Sequence, residues 1–196
     1  IQKKVASNIL AQQARFKVAQ TSYFKGDFEW AQVQLDVLRK SASQLIANDA
    51  MQLSLMISDN SLEDSTQTAL NKYAKADFMA FQLKDKDAII AFEEISLNNK
   101  GEQIEDEVLL KLGKLYEKTE QYSKAEASYL KIMEFYNDDI LADDAHFLLA
   151  ELYQYKLNQP DKAKELYEQI IFNFADSIFF VEARKKYRAL RGDDLN

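Results

Sequence analysis

Apolar residues recur at helical spacing along almost the whole chain, with polar residues on the intervening positions. The pattern predicts a first helix over residues 5–24, carried by Ile9, Ala14, Phe16 and Val18 and broken by Lys25-Gly26-Asp27. A second is expected over 28–39, with Trp30, Ala31, Val33, Leu35 and Leu38 as its apolar positions. Residues 42–45 read as a connector, 47–57 as a third helix, and 58–63 as the most loop-like stretch of the first half. A fourth helix is predicted over 64–82, with Ser61 and Asp64 as capping candidates. A fifth covers 87–97 and ends at Asn98-Asn99-Lys100-Gly101, because Asn and Gly tolerate the left-handed conformation. The second half is more regular, with helices expected over 105–118, 122–136, 142–155, 161–174 and 179–190. Pro160 sits in a first helical turn, where its missing N–H is not needed. No linker interrupts the series, so residues 1–196 are expected to form one continuous array.

The same side chains return in the same order. Gly113 and Tyr116 are followed by Tyr122, Ala125, Tyr129 and Ile132; Ala150 and Tyr153 are followed by Ala163, Tyr167 and Ile170. Earlier copies are Ala19, Gly26, Phe28, Ala31, Leu35 and Leu38, then Ala76, Ala88, Phe92 and Ile95. The recurring alanine steps by 37 from Ala88 to Ala125 and by 38 from Ala125 to Ala163. From Ala31 to Ala88 the step is 57, which leaves room for one extra helix, that over 47–57. A small residue on one helix lets the next approach closely, and a large aromatic fills the space beside it. Each helix pair carries apolar residues on more than one face, so only stacking of neighbours buries them.

This arrangement resembles the tetratricopeptide repeat superfamily over most of the chain, most closely over 105–174. Asn137 and Ala175 stand where such a repeat usually ends in proline, and Ser22 where tyrosine is usual, with Tyr23 beside it. The resemblance implies an all-α, α-α superhelix of about ten antiparallel helices. Leu141–Tyr153, Lys162–Tyr167, Ser177 and Glu182-Ala183-Arg184 are similar in style to bacterial envelope adaptors, namely the lipoprotein that helps assemble outer-membrane β-barrels and the coordinator of the Tol–Pal system. That similarity implies a non-catalytic scaffold, with the bacterial envelope favoured over the cytoplasm.

In such arrays the first helices of the pairs line a groove. Spacings of three and four place Gln13, Phe16, Gln20 and Tyr23 on one face of the first helix. The later helices offer Leu70, Tyr73, Asp77 and Ala80, then Glu107, Leu110, Lys114 and Glu117, then Asp144, Phe147, Glu151 and Gln154. The expectation is an apolar ladder of Phe16, Tyr73, Leu110 and Phe147 edged by carboxylates, suited to a basic or amphipathic peptide or protein; packing of those aromatics on a neighbouring pair is the alternative. Co-chaperone repeats hold a C-terminal carboxylate with Asn, Lys and Arg at these positions. Here they offer only Lys114, so the resemblance does not extend to that clamp. A second candidate surface is the basic cluster Arg184, Lys185, Lys186, Arg188 and Arg191, read either as helix-dipole compensation or as a contact for anionic lipid or an acidic partner.

Composition narrows the choice. Four glycines and one proline in 196 residues are too few for the turns of a sheet protein. The formal net charge of −7 makes nucleic acid a poor partner. With no cysteine there is no disulfide, thiolate metal site or cysteine nucleophile, and such a chain suits cytosol or periplasm equally. Apolar runs such as 88–92 and 178–181 are far shorter than the roughly 20 residues that span a bilayer. The start at Ile1 without methionine is read as a fragment of a longer chain.

His146 is the sole histidine and stands near Asp138, Asp139, Asp143 and Asp144. Asp143, Asp144 and His146 diverge by about 100° per residue around a helix, so a packing role is expected and not a metal or catalytic one. No phosphate loop, nucleophile elbow or zinc motif occurs, and no cofactor is expected. The rival readings are a spacer or self-association segment of a larger protein, and an accessory domain of a helical-repeat enzyme.

Overall fold

A computed structural model describes residues 9–41, 43–61 and 67–193. These residues form ten α-helices and, among them, no strand. They are α1 (Ile9–Phe24), α2 (Phe28–Ser41), α3 (Gln44–Asp59), α4 (Thr68–Phe81), α5 (Asp85–Asn98), α6 (Glu105–Lys118), α7 (Tyr122–Phe135), α8 (Ala142–Tyr155), α9 (Pro160–Asn173) and α10 (Phe180–Arg191). The architecture is an all-α helical solenoid of hairpins. The expected bounds of α6 and α8 agree to the residue. The residues read as a connector belong in part to α3, which starts at Gln44. The expected first turn at 5–8 and the Asp64 cap lie outside the described residues. Ser61 does not cap α4; its hydroxyl donates back to the Ile57 carbonyl at 2.5 Å.

The chain divides into two compact units, Ile1–Ile104 and Glu105–Asn196. In the first, α1 pairs with α2 and α4 with α5, while α3 packs on α2 as the extra helix. Gln32 clamps α3 by donating to the Ser54 carbonyl at 2.8 Å and accepting from the Ser54 hydroxyl at 2.6 Å. In the second, α6–α7 and α8–α9 are hairpins, α7 packs on α8, and α10 covers α9.

Four hairpins share one register. Ala31, Ala88, Ala125 and Ala163 are all fully buried on the second helices. Four residues on come Leu35, Phe92, Tyr129 and Tyr167, and seven on come Leu38, Ile95, Ile132 and Ile170, all in the interior. The facing first helices present Ala19, Ala76, Gly113 and Ala150, again buried. Two residues before each second helix the backbone turns left-handed, at Gly26 (φ 78°), Leu83 (φ 62°), Glu120 (φ 60°) and Asn158 (φ 51°). At the first three, the next N–H reaches back to close the helix end: Asp27 to Ser22 O at 3.0 Å, Lys84 to Met79 O at 3.0 Å and Gln121 to Tyr116 O at 2.8 Å. This Schellman-type closure satisfies carbonyls that the helix end leaves open.

Candidate protein-binding face

The first helices of the second unit bring polar side chains together. Spacings of three and four put Lys114 and Glu117 on one face of α6, and Asp144, Glu151 and Gln154 on one face of α8. The two faces sense each other's charge. Asp144 is pushed up to about 6 by burial; the positive charge of Lys114 opposes the shift and Asp143 adds to it. Glu117 is also raised by burial, opposed by a hydrogen bond from Tyr129 and reinforced by Glu151. Lys114 is exposed, yet crowding by protein atoms strips enough water from its ammonium to lower its pKa, against the pull of Asp144. Among the described residues Lys114 and Asp144 make no direct ion pair. Charges that are incompletely hydrated and not in contact are poised to accept a charged or hydrogen-bonding guest.

Tyrosines anchor this face from behind. The Tyr129 hydroxyl donates to Glu117 Oε1 at 2.6 Å, and the Tyr167 hydroxyl donates to Gln154 Oε1 at 2.9 Å. Tyr129 and Tyr167 hold the same repeat position, as do Glu117 and Gln154, so one tether occurs twice. Tyr153 of α8 donates to Glu126 of α7 at 2.7 Å and joins successive hairpins. On the far flank Lys186 of α10 meets Glu151 Oε1 and the Tyr155 hydroxyl, each at 2.9 Å, and lies 4.8 Å from the Tyr155 ring centroid. Burial would lower the Lys186 pKa, but those two hydrogen bonds raise it.

The expected apolar ladder is not on the surface. Tyr73, Leu110 and Phe147 are 6%, 8% and 8% exposed, and Tyr23 is buried as well. Phe147 stacks on Phe179 at 4.4 Å and leans on Tyr167 at 5.9 Å; Tyr73 meets Phe92 edge-on at 5.0 Å. Only Phe16 remains half-buried, beside half-buried Gln20, which accepts a hydrogen bond from Lys17 at 2.9 Å. Asp77 and Glu107 are also half-buried. Spacing showed which residues share a helix face. It did not show that Phe92 of α5 packs on Tyr73, or that Tyr167 of α9 and Phe179 pack on Phe147.

The basic cluster disperses. Lys186 serves Glu151, Arg188 meets Asp193 at 3.4 Å, and Arg191 donates to Asp193 Oδ1 at 2.8 Å. Arg184 and Lys185 stay exposed. His146 is buried; its Nδ1 lies 2.7 Å from the Ala142 carbonyl and its ring 5.0 Å from Phe174. Burial lowers its pKa against the hydrogen bonds it makes. Asp138, Asp139 and Asp143 instead line an open cleft of about 440 Å³ with Asn173 and Asp176. Among the described residues no three His, Asp or Glu side chains are grouped to hold a metal. No described helix is long and apolar enough to cross a membrane.

Stacked helical hairpins joined through tyrosine tethers, with an open polar face on the first helices, define a helical-repeat protein. The tetratricopeptide repeat family matches residues 106–139 and 143–171, which are the α6–α7 and α8–α9 hairpins. No curated protein matches the chain. Such repeats are in general protein–protein interaction modules.

Proposed function

We propose that the protein is a non-catalytic adaptor whose α6–α8 face receives an extended or helical segment of a partner protein. The observation that supports this is the convergence of Lys114, Glu117, Asp144 and Glu151 from two successive repeats, with Lys114, Glu117 and Asp144 short of hydration. A polypeptide supplies what each lacks: Lys or Arg side chains and backbone N–H groups for the carboxylates, a carbonyl or carboxylate for Lys114. Glu151, already held by Lys186, sets the boundary toward α10. The partner segment is therefore net basic, and its affinity falls with salt. The similarity of the last repeats to envelope adaptors directs the search for it to that compartment.

The test is a photo-reactive side chain in place of Lys118, on the exposed end of α6, with cross-linking in the native source at low and high salt. A Lys- or Arg-rich segment captured at low salt, and lost at high salt or with Asp144→Lys, is expected. Capture that ignores both salt and Asp144→Lys contradicts the reading.

A further inference from the structure

The outer face of α2 differs from that of every other second helix of a hairpin. One before, two after and six after the anchoring alanine stand Trp30, Val33 and Val37 in α2. The same positions carry Asp87, Ile90 and Glu94 in α5, Lys124, Ala127 and Lys131 in α7, and Lys162, Glu165 and Gln169 in α9. The repeat is its own control: these positions face solvent and are otherwise mostly polar. Trp30, Val33 and Val37 are 54%, 53% and 49% exposed. At 100° per residue they lie within about 60° of one another, opposite Ala31, Leu35 and Leu38. Trp30 and Val33, apolar positions of the predicted second helix, thus face solvent while Ala31, Leu35 and Leu38 fill the interior.

With Lys40 the face reads Trp30-Val33-Val37-Lys40, a three-four-three seam of the kind that packs helix on helix. The bonds of Gln32 and Arg39 to Ser54 hold α3 on another side of α2, which leaves the Trp30-Val33-Val37 face exposed. The charges along α2 are polarised. Glu29 lies in its first turn; Arg39 and Lys40 lie in its last, Arg39 being held by Asp36 at 3.3 Å.

We propose that this face binds α2 of a second copy of the chain, the two helices running antiparallel about a twofold axis. The charge pattern selects that occupant. A helix with an acidic start, a basic end and a three-four-three apolar seam complements α2 only when antiparallel, and α2 itself is such a helix. Setting Val33 against the second copy's Val37 brings Trp30 over the second copy's Lys40 and places Glu29 beside that lysine. All three contacts recur by symmetry. The ring then takes the lysine stem and charge on its face. Few side chains take part, and a stable interface usually buries about 800 Å² on each partner, so the dimer dissociates on dilution.

Sedimentation of the whole chain over a wide concentration range tests this, with emission of Trp30, the single tryptophan, as a second readout. A monomer–dimer equilibrium is expected, with a blue shift of Trp30 as dimer forms. Val33→Glu weakens association at least about tenfold, close to 1.4 kcal/mol. Glu29→Lys and Lys40→Glu each weaken it, and the double variant restores it, because both charges of every pair are then exchanged. All three sites are exposed, and circular dichroism checks that each variant folds. A chain that stays monomeric at every concentration overturns the proposal. So does a dimer indifferent to Val33→Glu, or a double variant no better than the single ones.

Discussion

Gly113 of α6 lies against the ring of Tyr129 of α7 so closely that a Cβ on the glycine would fall 2.7 Å from the tyrosine Cζ and nearer still to Cε1. The hydroxyl of that ring ends on Glu117, one turn further along α6. The contact therefore sets the depth of the hairpin and the position of a carboxylate on the candidate face at once. Gly113→Ala improves helix propensity by about 1 kcal/mol. It also forces a buried ring aside, and overpacking typically costs about 1–3 kcal/mol. The expected net result is a loss of up to about 2 kcal/mol in urea unfolding. A stabilised variant would mean that the ring swings away freely.

The shared left-handed turn gives a second prediction. A residue with a side chain costs about 1–2 kcal/mol there, and glycine gives back part of that through the unfolded state. Leu83→Gly and Glu120→Gly are expected to stabilise by about 0.5–1 kcal/mol, and Asn158→Gly by less, since Asn tolerates this conformation. Gly26→Ala destabilises twice over, because its φ is 78° and a Cβ would strike the Asn71 side chain. Thermal melts of the four variants check the order.

Much of this register was legible in the sequence. Alanine, an aromatic or leucine four later and an aliphatic seven later are strict requirements of close helix packing, and all twelve positions are buried. The extra helix in the long step between Ala31 and Ala88 was legible for the same reason. Exposure of single aromatics was not. Phe147 and Trp30 are both apolar residues at helical spacing, but one is buried under Phe179 and the other stays more than half exposed. A helix face is visible from spacing, whereas the neighbour that covers it comes from tertiary packing. Leu83 and Glu120 take a left-handed conformation that favours glycine, because the closure of the hairpin overrides local preference.

Asp144 predicts a pH effect with a definite sign. Its folded pKa is raised to about 6 from an ordinary 3.8, so the native state binds the proton more tightly than the unfolded chain. Between those values the contribution of Asp144 to stability falls as pH rises, and above pH 6 the full cost of the charge is present. Asp144→Asn is therefore expected to stabilise by about 1 kcal/mol at pH 7.5 and to change little at pH 4. Buried His146 acts in the opposite sense but stays in both proteins, so the difference between variant and parent isolates Asp144. Denaturant titrations at the two pH values decide it; an equal effect at both would place the proton elsewhere.

Phe147 and Glu117 separate scaffold from contact. Phe147, placed by spacing on the candidate face, is buried, stacked on Phe179 and beside Tyr167. Phe147→Ala removes a buried ring and should cost about 3–5 kcal/mol of stability. Glu117 is half-buried, and its carboxylate is tethered by Tyr129. Glu117→Gln keeps an oxygen for that tyrosine and loses the charge. It should leave the melt within about 0.5 kcal/mol of the parent while weakening a basic partner segment. The partner identified by cross-linking at residue 118 supplies the peptide for this titration, and chemical denaturation supplies the stability. If Phe147→Ala folds as well as its parent and alone loses the partner, the recognition surface is the aromatic ladder and not the charged face above it. If Glu117→Gln loses the partner at unchanged stability, the carboxylates carry recognition, and the rings serve to hold them at their spacing.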